Sequence, residues 1–300
     1  MRAAYREEPC RSALNRVTGM GFRWSLNPYM GCAHRCAFCY VRGFEQRADR
    51  PSDDRYGTSV RVKVNVVEVL RAELRRRAWR RETVAIGAAT DPYQPAEGRY
   101  RLTRGCIEAL AEARTPLTVI TRGPLIVRDA DVLAEASRRA AVTVSVSVAT
   151  MDESVAARLE PGVAPPRQRL RAIRLLTDAG IAAGVAIAPI LPGLTDAPRG
   201  LAAVLAAARD AGAVHAWSNV LNLRAGTREH FLSVLEREWP AEAGRYRRLY
   251  PTDGSGYLRR ADAEPIQRRL AAVRRGIPLT DRRRIVLTPE PDPEQLALAI

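Results

Sequence analysis

The stretch YMGCAHRCAFCYVR, residues 29–42, sets Cys32, Cys36 and Cys39 at C-x3-C-x2-C spacing. No fourth cysteine follows, and the other two, Cys10 and Cys106, lie well outside the motif. A structural zinc site wants four closed ligands, as paired C-x2-C units or with histidines. Here there is one compact triplet, and the chain has only three histidines, His34, His215 and His230. A cuboidal [4Fe–4S] cluster is held by cysteine thiolates, usually four. With three, one iron keeps a position for a ligand that is not protein. That is the mark of a cluster built to act on what it binds.

Working outward, apolar β-branched runs alternate with amphipathic segments. Strands are expected at 83–90, 117–121, 142–150, 181–190 and 216–223. Between them, TRGCIEALAEAR, DADVLAEASRRA, PPRQRLRAIRLLTDAG and APRGLAAVLAAARDAG carry apolar residues at helical spacing, and two end in an Ala-Gly suited to a C-cap. Such alternation implies right-handed βαβ units and a parallel sheet, so the class is α/β. The polar segment 43–59 reads as a loop or lid, and beyond about residue 240 the periodicity weakens. Cys106 falls on the apolar side of a helix and reads as a core thiol, Cys10 as an unengaged one.

The chain has 300 residues, 46% of them hydrophobic, enough for one large core such as an α/β barrel. The start, MRAAYREEP, lacks an apolar h-region, and IAAGVAIAPILPGL is too broken and short to span a bilayer. A cytoplasmic protein with reduced cysteines and no membrane partner is expected. Net charge is +15, carried almost wholly by arginine with Lys63 as the lone lysine. The charge favours anionic partners, nucleic acid among them. A coding bias toward arginine accounts for much of it, and RAELRRRAWRR (71–81) reads as a solvated helix face.

The triplet, with Phe38 just before its last cysteine, resembles the radical S-adenosylmethionine superfamily. WSLNPYMGCAHRCAFCYVR, GAATDPYQPAEGRY and APILPGLTD look like the branch that contains spore photoproduct lyase. The resemblance implies a partial (β/α)6 TIM-like barrel with parallel strands over residues 25–235, an N-terminal segment 1–24 and a C-terminal extension 236–300. It implies a [4Fe–4S] cluster on Cys32, Cys36 and Cys39, with S-adenosyl-L-methionine chelated at the open iron. One electron from a low-potential donor such as flavodoxin or ferredoxin would release a 5′-deoxyadenosyl radical, which takes hydrogen from the substrate.

Site residues follow at the expected strand ends. Phe38 would pack beside the adenine. Thr90 and Asp91 would offer acceptors to the methionine ammonium, and Arg122 would pair with its carboxylate. Ser147 would reach the ribose or sulfonium side, and Glu160 would face the cofactor. Lys63, kept where other cations became arginine, suggests a specific need for an ammonium.

The resemblance has a limit. The photoproduct lyases carry a cysteine before their Ser-Asp at the end of the second strand, and it returns a hydrogen atom to product. Here that place holds Ala88, followed by Ala89 and Thr90. The expectation is therefore a radical enzyme of another substrate, possible nucleic acid included. The alternative is a non-catalytic iron–sulfur or zinc protein binding nucleic acid through its basic surface. At the end of the chain, Gln295–Ile300 looks like a degenerate form of the peptides that dock bacterial repair proteins on the sliding clamp.

Overall fold

Residues 142–147, VTVSVS, bury all six side chains, as an interior strand covered on both faces requires. The computed structural model describes residues 3–287 and builds the neighbours of this strand on both sides. In chain order the strands are β1 (Ala4–Glu8), β2 (Leu14–Arg16), β3 (Trp24–Leu26), β4 (Tyr29–Met30), β5 (Ser59–Lys63) and β6 (Val84–Ile86). They continue as β7 (Leu117–Thr121), β8 (Val142–Ser147), β9 (Ala183–Ile190), β10 (His215–Val220) and β11 (Thr280–Asp281). The helices are α1 (Val41–Arg47), α2 (Val66–Leu74), α3 (Pro95–Tyr100), α4 (Leu102–Glu112), α5 (Ala130–Arg139) and α6 (Glu153–Leu159). After these come α7 (Pro166–Asp178), α8 (Pro198–Asp210), α9 (Thr227–Glu238), α10 (Pro240–Leu249) and α11 (Arg260–Arg275).

The main sheet runs β2-β3-β6-β7-β8-β9-β10-β11. Every pairing from β3 to β11 is parallel, and only the β2–β3 edge is antiparallel. Among the described residues the sheet keeps two edges and does not close, so the α/β fold is a partial barrel. A separate three-stranded sheet, β1-β5-β4, clasps the chain where β4 leads into the cysteine stretch.

The four expected helices are α4, α5, α7 and α8. Gly180 and Gly212, in the two Ala-Gly ends, take φ of +78° and +80°, which suits a residue without Cβ. The strand expected over 83–90 stops at Ile86. Gly87 turns there with φ +94°, where a Cβ would strike the Ile120 carbonyl and Pro92, and residues 87–91 leave the ladder for the barrel mouth. The segment expected as a loop begins as a helix, α1. Its polar residues are packed: Arg42 is buried, and Glu45 accepts from Arg50 Nε at 2.6 Å and Arg61 Nη2 at 3.1 Å.

The expected boundaries fall inside elements. Trp24 belongs to β3, and α9 runs through residue 235 because Phe231, Leu232, Val234 and Leu235 keep one buried face. Tyr246 and Tyr250 of the C-terminal part join the same apolar cluster as Phe38, Leu159 and Leu221. Cys106 lies in the main core, as expected. Among the described residues no helix is long and apolar enough to cross a membrane. The proposed clamp-docking hexapeptide lies outside the described residues.

Candidate active site

The C-terminal ends of parallel strands are where such folds place their chemistry, because the connecting loops converge there. A cleft of about 480 Å³ opens at this end. Cys32, Cys36 and Cys39 line it together with Ala88, Thr90 and Asp91 beyond β6, and Arg122 beyond β7. Six of the expected site residues, the three cysteines with Thr90, Asp91 and Arg122, therefore meet in one place.

The cysteine loop is held by protein contacts on every side. The Gly31 carbonyl accepts from Thr90 Oγ1 at 2.7 Å and from Gln94 Nε2 at 3.1 Å. Gln94, fully buried, also donates to Thr90 Oγ1 at 2.9 Å and accepts from the Ala33 amide at 2.9 Å. The Ala37 amide donates to the Leu159 carbonyl at 2.8 Å. Arg42 donates to the carbonyls of Cys36, Arg35, Ser52 and Asp53, tying the loop to the segment after α1. Gly57 completes the enclosure. With φ +79° it lies so close to the Cys32 carbonyl that a Cβ would sit 2.2 Å from the oxygen.

These bonds give Thr90 and Asp91 a part in shaping the loop. The Thr90 hydroxyl is occupied by Gly31 and Gln94. Asp91 Oδ1 accepts from Tyr93 N at 2.9 Å and Thr121 Oγ1 at 2.6 Å, and Oδ2 accepts from Arg122 N at 2.7 Å. His34 Nδ1 lies 3.2 Å from Oδ2 but off the line of a hydrogen bond, making an ion pair. Burial alone would raise the Asp91 pKa, yet His34, then Thr121 and the Arg122 amide, hold it low. Burial alone would lower that of His34, and Asp91 with Cys32 reverses it. Through three hydrogen bonds and the His34 ion pair, Asp91 braces the loop against β7 while also lining the cleft.

The donor set fits a cluster. Among the described residues no three His, Cys, Asp or Glu side chains crowd on one point as a single metal ion demands. Three thiols spread around one cleft suit a [4Fe–4S] group, in which each ligated iron takes its own thiolate. Burial pushes the Cys36 and Cys39 thiols up, so thiolates there need a cationic partner such as iron.

Behind the cleft runs a charge relay that the sequence did not display. Glu160 accepts from Arg122 Nε at 2.7 Å and from Arg169 Nη2 at 2.7 Å. Arg122 Nη2 donates to the Ala188 carbonyl at 2.7 Å, and Arg169 Nη1 to the Ser147 carbonyl at 2.9 Å. Burial favours the neutral Glu160 acid, but Arg169 and Arg122 hold its pKa below the usual carboxylate value. Glu160 thus bridges two guanidiniums and, unlike Arg122, does not itself line the cleft. Among the described residues Arg122 Nη1 has no hydrogen-bond partner. Phe38 is buried, with the Arg122 guanidinium carbon 5.4 Å from its ring centroid, and does not line the cleft. Ser147 is buried in β8 and does not line it either. Lys63 stands on the outer sheet in β5, its field shared with Cys10 and Glu8, and is not brought to the site.

Two residues here were not singled out from the sequence, His34 and Tyr56. The Tyr56 oxygen lies 3.6 Å from Cys39 Sγ. Its own burial, with Cys39 nearby, keeps the phenol protonated, so with a cluster bound the hydroxyl would be the donor to the Cys39 thiolate. Hydrogen bonds to cluster sulfurs stabilise the reduced, more negative state. Tyr56→Phe should therefore make the cluster's midpoint potential more negative while leaving iron content unchanged. Spectroscopic redox titration checks this, and an unchanged potential would remove Tyr56 from that role.

The comparisons agree with this geometry. The family model of the Radical SAM superfamily matches residues 26–205. Rv2578c of Mycobacterium tuberculosis, an uncharacterized protein, is 43% identical over 249 residues, covering 82% of this chain and 73% of its own. ORF301 of Acidianus two-tailed virus, also uncharacterized, is 29% identical over 71% of each chain. Among solved structures, spore photoproduct lyase with bound AdoMet and dinucleoside spore photoproduct superposes with a TM-score of 0.69. It shares 16% identity, over 92% of this chain and 81% of that one, a likeness of fold. A [4Fe–4S] cluster and S-adenosylmethionine are the cofactors of such enzymes, and with its three cysteines gathered at the mouth of a partial barrel, this chain belongs to the Radical SAM superfamily.

Proposed function

We propose that the cleft directs radical chemistry at a nucleic acid. When bound, the cluster and S-adenosylmethionine supply a 5′-deoxyadenosyl radical. Cys32, Cys36 and Cys39 hold the cluster, Asp91 and Thr90 fix their loop, and Arg122 keeps Nη1 for the methionine carboxylate. The observation that carries the substrate reading is at the lip of the cleft. Tyr40, which lines it, is 47% exposed, and Phe44 beside it is 41% exposed. Their rings meet edge to face at 5.6 Å, and the Arg47 guanidinium lies 4.9 Å from the Phe44 ring. Exposed aromatics interleaved with arginine stack on bases and attract phosphates. The +15 net charge supports the same partner. So does the dinucleoside bound by the solved lyase of like fold. Ala88 lines the cleft where that branch carries its hydrogen-returning thiol, so the reaction differs from photoproduct reversal.

The test is anaerobic turnover with reduced protein, S-adenosylmethionine and deuterated single-stranded or duplex oligonucleotides. Formation of 5′-deoxyadenosine should rise with oligonucleotide, and deuterium should appear in it. Product formed at one rate with or without nucleic acid, and free of deuterium, would overturn the substrate reading.

A further inference from the structure

A second groove, of about 310 Å³, lies against the same cysteine loop and shares only Arg35 with the cleft. Its walls carry Arg35, Arg42, Arg158 and Arg237, and Asp54 is the one carboxylate among them. Among the described residues Arg35, Arg42 and Arg158 form no ion pair. Arg158 donates to the Ser154 carbonyl and lies over the Trp239 ring, and Arg35 donates to the Asp54 carbonyl. Arg237 has a 3.4 Å contact with Glu238 and stays half exposed. His230, also in the wall, adds no charge at neutral pH, because burial, then Arg42, pushes its pKa down to about 4.

The groove reaches the cluster ligands directly. Ala37 lines it and follows Cys36 in the chain, while Arg42, also in the wall, donates from Nε to the Cys36 carbonyl at 3.3 Å. We propose that this groove is the docking surface for an acidic, one-electron carrier protein. The inference rests on the reading that Cys36 holds the cluster. The carrier is oxidised by one electron and the cluster reduced by one, with no atom transferred. Because the groove is separate from the cleft, the carrier can dock while substrate fills the mouth. The arginines Arg35, Arg158 and Arg237 around the entry steer an acidic partner, and that attraction weakens with salt.

The experiment uses the reconstituted full chain and a reduced flavodoxin as the acidic carrier. The Arg158→Glu/Arg237→Glu double variant should bind it at least tenfold more weakly at low salt, by calorimetry, and with a flatter salt dependence. 5′-Deoxyadenosine formation driven by flavodoxin should fall in parallel, while that driven by dithionite stays at the wild-type rate. Arg209→Glu on α8 reverses a charge elsewhere and should leave binding unchanged. Equal flavodoxin affinity in the double variant, an equal loss in Arg209→Glu, or no binding by the wild type would each overturn the docking surface. Failure of the dithionite reaction in the wild type would instead defeat the cluster reading beneath it.

Discussion

Alanine at Cys32, Cys36 or Cys39 is expected to abolish the visible iron–sulfur absorbance and, with it, all reductive cleavage of S-adenosylmethionine. Each thiolate would hold a separate iron of the cluster, and the motif offers three. The remaining cysteines cannot substitute: Cys106 is sealed in the core and Cys10 packs near β5. The fold should persist in each variant. Gln94, Thr90 and Arg42 secure the loop through backbone carbonyls and amides that the substitution does not touch. Circular dichroism beside iron and sulfide analysis separates the two effects. A triple variant that kept its iron and still formed 5′-deoxyadenosine would sink the assignment.

The largest loss of stability should come from Glu160→Ala. Glu160 is 2% exposed and Arg169 1%, so removing the carboxylate leaves a guanidinium buried without its counter-charge. Breaking a buried pair from one side costs about 3–5 kcal/mol. Denaturant unfolding of the apo-protein measures it, and a loss below about 1 kcal/mol would show that solvent reaches the pair. Glu160→Gln keeps the shape and an acceptor, so it should lose less. The acid limb offers a second reading. A carboxyl with depressed pKa in the fold stabilises above its unfolded value, about 4.3, and loses that contribution as pH falls through the folded value. The wild type should therefore give up part of its advantage over Glu160→Ala below about pH 4.

The barrel was legible where burial is two-sided. In β8, Val142, Val144 and Val146 lie on one face and the small Thr143, Ser145 and Ser147 on the other, both buried, and such a β-branched run has few other readings. β3 was not, because three residues, Trp24–Leu26, carry no periodicity and become a strand only by pairing with β2 and β6. α1 was hidden for a different reason: Arg42 and Glu45 look solvated and are buried through partners that only the fold supplies. The cysteines were fully legible, being local in sequence. The charge relay was half legible. Glu160 and Arg122 stood out at element ends, but neither shows in sequence which oxygen or nitrogen is already taken. Arg169 left a trace that was readable, since it falls on the stripe of α7 that also buries Pro166, Leu170, Ile173 and Leu176. A lone charge on an apolar stripe signals a buried partner. His34 gave the same kind of signal, a titratable side chain inside the cysteine loop.

The clamp that Gln94 places on Gly31 and Ala33 bears on how such an enzyme ages. Oxygen destroys exposed iron–sulfur groups, and a loop shaped only by its metal would collapse with it. Small metal-dependent folds do so, because their binding free energy is their folding free energy. Here the loop's geometry is written in amide and carbonyl bonds to α3 and the turn after β6. Damage to the inorganic part is then a loss of cargo, and a cell's repair machinery meets a vessel ready to be refilled instead of an unfolded chain to be degraded.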